Sequence, residues 1–176
     1  MKQTIKVRRL NKNLSLPTII DKGEWIDLKL SSAATFEAPK VVTVKDAETG
    51  KTSKDVVFDT TMLPLGIAMK LPKGYEAIVA PRSSTFKYFG LIERNSIGVI
   101  DNSYSGNTDE WMFPAIAFRK SSIPEGERIC QFRIQLSQKA TIWQKIKWLL
   151  SSGIRIVEVD TLDGTNRGGF GSTGTR

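Results

Sequence analysis

Histidine is absent from the 176 residues, and cysteine occurs once, at Cys130. Without imidazole there can be no Ser-His-Asp or Cys-His nucleophile pair, no histidine acid or base, and no histidine-bound metal. A single thiol cannot close an internal disulfide or build a zinc cage. Apolar runs near the roughly 20 residues that a membrane span needs are also lacking, and the opening MKQTIKVRRLNKN has no signal-peptide core. A cytoplasmic, reducing location and no membrane association are therefore expected. Any catalysis must run on carboxylates, hydroxyls, guanidinium groups, backbone amides or a hard cation. With no imidazole to titrate, activity is expected to follow a carboxylate limb at low pH.

What is present suits a globular chain. The 40% hydrophobic and 25% charged fractions are ordinary, and the length fits one domain of about 150 residues plus a tail. The net charge of +8 favours polyanions, but Lys and Arg are scattered rather than massed. The balance fits a nucleic-acid surface, a small polyanion such as a nucleotide or, as scatter most commonly does, a plain solvated surface, and direct nucleic-acid binding is not expected.

Short β-branched and aromatic stretches recur between turn signals: TIKVRRL, WIDLKL, KVVTVK, DVVFD, EAIVAP, FPAIAF, CQFRIQL and IRIVEVD. In WIDLKL, Ile26, Leu28 and Leu30 face one way, while Trp25, Asp27 and Lys29 face the other. ETGK, LPLG, LPKG and IPEG read as turns between the runs. Many strands and few helices predict an all-β barrel or sandwich. Residues 45–55 read as an exposed hairpin tip or loop. Ile142, Ile146, Leu149 and Leu150 lie at helical spacing, predicting a short amphipathic helix packed on the barrel, with Gly153 as its C-cap. The glycine-rich end is expected to be a mobile arm, giving a division into residues 1–160 and 161–176.

Four segments concentrate polar groups at strand ends. In PRSST, Arg82, Ser83 and Ser84 form a compact donor cluster for phosphate oxygens. NSIGVIDNSYSGN, residues 95–107, reads as a strand–turn–strand hairpin with its turn near Asn102 and Ser103. Its Asp101 either caps that turn or serves as a general base. Gln131 lies on a strand with Arg128 or Arg133 near it. In the tail, Arg167, Phe170, Ser172 and Thr173 stand among glycines whose amides can fold over an anion.

The order PRSS, GVIDNSYSG, GERICQF and RGGFGSTG, preceded by Trp25-Ile26-Asp27-Leu28, resembles the trimeric dUTPases, most like those of Gram-positive bacteria and their phages. The likeness runs from about residue 24 to the C-terminus. It implies a distorted jelly-roll, β-barrel-like fold and a homotrimer with shared active sites. It also implies Mg²⁺-dependent hydrolysis of dUTP to dUMP and pyrophosphate, which limits uracil in DNA and supplies dUMP for thymidylate synthesis. By the same resemblance, Asp101 holds the deoxyribose 3′-OH and activates the attacking water, and Tyr104 packs on the deoxyribose. Asn95 and the backbone of Val99, Ile100 and Asp101 read the uracil edge. Arg82, Ser83 and Ser84 contact phosphates, and Asp27 and Gln131 hold waters around Mg²⁺. Arg167, Phe170, Ser172 and Thr173 belong to the arm that closes over base and γ-phosphate.

The tail is shorter between Arg167 and Phe170 than in many members, so either Phe170 or the cluster Trp111-Met112-Phe113 covers the base. Two alternatives stand beside this reading. A dCTP deaminase would be expected to carry an Ala-Gly-containing stretch before Ile-Asp and a catalytic Glu nearby, and here Ser96-Ile97-Gly98 stands in that stretch. A phage-type member could add a signalling or repressor-binding role through a protein partner.

Overall fold

The computed structural model describes residues 2–19 and 23–168. Alternation of apolar and polar residues drives the chain into two main sheets that share one core. The first is built from β1 (Gln3–Arg9), β6 (Thr60–Lys70), β8 (Leu91–Glu93), β10 (Glu110–Ala117) and β13 (Ile154–Glu158), in the order β13-β1-β6-β10-β8. The second is built from β2 (Ile26–Lys29), β7 (Tyr75–Pro81), β9 (Gly98–Ile100) and β12 (Arg128–Leu136), in the order β2-β12-β7-β9. Two small ribbons flank them: β3 (Ala34–Phe36) with β11 (Ser121–Ile123), and β4 (Lys40–Lys45) with β5 (Thr52–Val57). All pairings between these strands are antiparallel except β1 with β13, and an isolated parallel bridge joins Gly106 to Gly164. The expected all-β class holds.

Ile5, Val7, Leu63, Leu65, Trp111 and Phe113 from the first sheet meet Ile26, Leu28, Ala77, Val79 and Phe132 from the second in one buried cluster. Trp111 meets Phe132 edge-on, with ring centroids 5.2 Å apart. Ile26, Leu28 and Leu30 are buried, as their spacing predicts. Polar residues between such positions are left on the opposite face, where the chemistry collects.

Four features differ from the sequence reading. LPLG is not a turn: β6 runs through Pro64 and Gly66, the glycine adopting φ +67° and its N–H bonding to Glu110 Oε1 at 2.8 Å. PRSST opens a helix, α1 (Ser83–Phe89), closed by the left-handed Gly90, whose N–H returns to the Phe86 carbonyl at 2.8 Å. Residues 95–107 do not form a hairpin, because β9 pairs with β7 and the chain then crosses to the other sheet. Finally, α2 (Ile142–Leu149) forms but packs nothing away: Ile142 is 70% and Leu149 74% exposed. A capping box between Thr141 and Gln144 starts this helix, and Leu150, not Gly153, caps its end.

The tip at residues 45–55 behaves as expected. Asp46 accepts from the N–H groups of Glu48 and Thr49 at 3.0 and 2.6 Å, closing the turn of an exposed ribbon.

Candidate active site

One polar group lies where β2, β12 and β7 run side by side and α1 begins. Asp27 stands opposite Gln131 in the ladder, and Gln131 opposite Ala80. Because Ile26 and Leu28 point inwards, Asp27 faces the other way, with its side chain 15% exposed. Arg82 Nε donates to Asp27 Oδ1 at 2.9 Å, and Arg128 Nη1 donates to Oδ2 at 3.0 Å. Arg82 Nη1 also donates to Ser84 Oγ at 3.4 Å and to the Arg128 carbonyl at 3.3 Å. Gln131 Nε2 donates to the Pro81 carbonyl at 3.4 Å, leaving its own amide oxygen as an acceptor. Ser83 is exposed on the first turn of α1, and no side chain caps that helix. Two arginines and two hydroxyls beside one carboxylate form a surface that takes an anion with several oxygens.

A second group lies beyond β9. Ile100 points into the core while Val99 is exposed, and Asp101 follows at the strand end, its side chain 57% exposed. Arg167 Nη1 donates to Asp101 Oδ2 at 2.9 Å and to Ser103 Oγ at 3.0 Å. The Tyr104 N–H donates to the Asp101 carbonyl at 3.0 Å, and its hydroxyl donates to the Glu110 carbonyl at 2.9 Å. Burial pushes the Tyr104 phenol up, and the charges of Asp109 and Glu110 add to that. Asn95 is exposed in the turn before β9.

Two residues that position this second group escape the sequence reading. Asn102 Nδ2 reaches the carbonyls of Leu71, Pro72 and Tyr75 at 3.3, 2.7 and 3.2 Å, pinning the turn that carries Asp101. The buried Asp109 accepts from the N–H of Gly106 at 2.8 Å and of Arg167 at 2.9 Å. Asn107 exchanges hydrogen bonds with Leu162, and Thr108 donates to Asn166 Oδ1 at 3.0 Å. The tail is thus stitched to the 106–109 loop as far as Arg167. A polar residue after a run of turn formers is a weak sequence signal, and both partners lie far away in the chain.

No ion pair or side-chain hydrogen bond among the described residues joins the two groups. Of the two candidates for covering a base, Trp111 and Phe113 are excluded: both are wholly buried in the core, with Trp111 against Phe132. Phe170, Ser172 and Thr173 lie outside the described residues.

The dUTPase family model matches residues 51–174. The SPbeta prophage-derived deoxyuridine 5′-triphosphate nucleotidohydrolase of Bacillus subtilis is 41% identical over 172 residues, covering 98% of this chain and 99% of its own. The deoxyuridine 5′-triphosphate nucleotidohydrolase of Neorickettsia sennetsu is 32% identical over 167 residues, covering 93% and 91%. Among solved structures, a dUTPase from Streptococcus mutans superposes with a TM-score of 0.57 at 19% identity, covering 75% of this chain and 96% of its own. A Staphylococcus bacteriophage 80alpha dUTPase variant superposes with a TM-score of 0.57 at 16% identity, covering 97% and 98%. The fold is therefore of the jelly-roll-like class those structures share. The chain belongs to the dUTPase family, a family of hydrolases.

Proposed function

We propose that the protein hydrolyses dUTP to dUMP and pyrophosphate, with water attacking the α-phosphorus. The observation that carries this is Asp101, an exposed carboxylate at the end of β9 with an arginine from the tail seated on it. In this reading Asp101 takes the proton of the attacking water and holds the 3′-OH, while Arg167 moves from it to the substrate phosphates as the arm closes. Arg82, Ser83 and Ser84 offer cationic and hydroxyl donors to the α- and β-phosphates, where charge builds in the transition state. Asn95 and the backbone of Val99, Ile100 and Asp101 read the uracil edge, and Tyr104 packs on the sugar. Residues 161–176 form the closing arm, with Phe170, Ser172 and Thr173 over the base and terminal phosphate.

The residues present fit magnesium as outer partners. Both Asp27 oxygens are engaged by arginines, and no cluster of three acidic, histidine or cysteine side chains occurs among the described residues. That suits an ion which keeps its waters and takes its oxygens from a triphosphate. Asp27 and the Gln131 amide oxygen would hold such waters, and the bound ion would neutralise triphosphate charge.

The unjoined halves of the site favour a homotrimer in which one subunit's Asp27–Arg82–Gln131 group works with another's Asp101 turn or arm. Assaying pyrophosphate release from dUTP, dCTP, dTTP and UTP, with and without a chelator, tests the proposal. Release from dUTP alone, abolished by the chelator, is expected. Comparable turnover of UTP or dTTP, or none of dUTP, would overturn it, and ammonia release from dCTP would point to a deaminase.

A further inference from the structure

Against Gly98, at the start of β9, lies a carboxyl that the chemistry above leaves unused. Glu93, the last residue of β8, is 4% exposed, and neither of its oxygens has a hydrogen-bond partner. Its side chain rests against the first residue of β9: a Cβ added at Gly98 would lie 2.9 Å from Glu93 Oε1 and 3.2 Å from Val79 Cβ. The connecting turn is tied to the same residue. The Ser96 N–H donates to the Glu93 carbonyl at 3.1 Å, and Ser96 adopts the left-handed φ of +65°. Three residues beyond Gly98 comes Asp101.

No counter-charge meets this carboxyl. β9 offers it the backbone of Gly98, which pairs with Val79 of β7, and its ladder partner on β10 is Ala115. From β12 it faces the buried Cys130 thiol, which burial first, then the charges of Glu93 and Asp27, push well up. The adjacent Arg94 turns elsewhere, its Nη2 reaching Met62 Sδ at 4.0 Å. Among the described residues no ion pair includes Glu93. An anion held there without donors costs more than a proton taken up, so the group stays neutral through the acidic range.

We propose that Glu93 is a positioning residue of the active site: as a neutral carboxyl it supports β9 from behind, and on ionising it draws water under Gly98 and loosens the strand that presents Val99, Ile100 and Asp101. The effect on catalysis rests on the role given to Asp101 above. Burial pushes Glu93 up to about 7. Its protonated form is the one the folded chain favours, so the stability it lends is full below the ordinary glutamate range and is lost as pH rises through 7.

The test compares wild type with Glu93→Gln, which keeps the shape and cannot ionise. If only the neutral form binds well, the KM of wild type for dUTP rises about tenfold from about pH 6 to about pH 8, with kcat changing less. Glu93→Gln is expected to hold a flat KM over that range. Parallel KM profiles in the two proteins would overturn the proposal. Thermal midpoints without substrate separate this claim from the catalytic one. A wild-type midpoint that falls from about pH 4.5 to about pH 7 and levels above, beside a flat one in Glu93→Gln, supports the Glu93 claim even if dUTP is not turned over. Should the variant fail to fold, carboxyl ¹³C NMR of wild type decides. One glutamate titrating near neutrality supports the proposal, and all of them titrating in the ordinary range would refute it.

Discussion

Asp101 is held in place by its neighbours more than by its own contacts. Asn102 spreads one amide over three carbonyls, and Tyr104 closes the turn onto the Asp101 carbonyl, so the carboxylate projects from a fixed backbone while remaining more than half exposed. Replacing Asp101 with Asn retains size and removes the base. We expect turnover to fall by about two to four orders of magnitude, the usual share of a positioned general base. Binding of a non-hydrolysable dUTP analogue, followed by calorimetry, is expected to stay within a few-fold. Full activity in this variant would refute the assignment. At this scale the sequence singles out Asp27, Arg82 and Gln131, which the fold brings side by side, and Asp101 and Arg167, which it pairs. Asn102 and Asp109 are illegible because they bond to backbone about 30 and about 60 residues away, and any chain of turn residues offers such amides and carboxylates.

Period-2 alternation marked the long strands at the level of elements, since a half-buried strand must alternate. It failed where local chemistry overrode the signal. β6 carries a proline and a left-handed glycine within one strand, and the glycine's amide is rescued by a side chain from β10. The α2 stripe is real as a helix started by its capping box, but none of its residues is buried by the described residues. β13 offers a sharper test. It lies parallel to β1, and its Glu158 receives Arg9 Nε and Nη2 at 2.8 and 3.0 Å and Lys12 Nζ at 3.0 Å. Hydrogen bonds from Arg9, then from Lys12, hold the Glu158 carboxyl down at about 2. A depressed carboxyl stabilises the fold above the ordinary glutamate range and loses that contribution as pH falls towards 2. Melting curves of Glu158→Gln should therefore show a shallower loss of midpoint through that acid window than wild type. Equal slopes would mean that the strand junction does not depend on this pair.

For the whole molecule, the question is how two separated polar groups make one site. If each site joins the Arg82 group of one subunit to the Asp101 turn of another, two inactive variants can complement each other. Refolding Arg82→Ala together with Asp101→Asn as mixed trimers is expected to recover a measurable fraction of turnover, whereas each alone stays inactive. No recovery would place both groups of each site within one chain. The +8 charge fits this scheme, since both groups carry arginines.

The sequence by itself determined the all-β class and the faces of the strands, because alternation is local, and it excluded imidazole chemistry, because the chain has no histidine. Only the tertiary structure decided that β9 joins β7 instead of its own neighbour, that Trp111 and Phe113 are core and not a lid, and that Glu93 is sealed behind the strand carrying Asp101. Those outcomes depend on which distant surfaces meet. Burial, unlike alternation, is a property of the assembled whole.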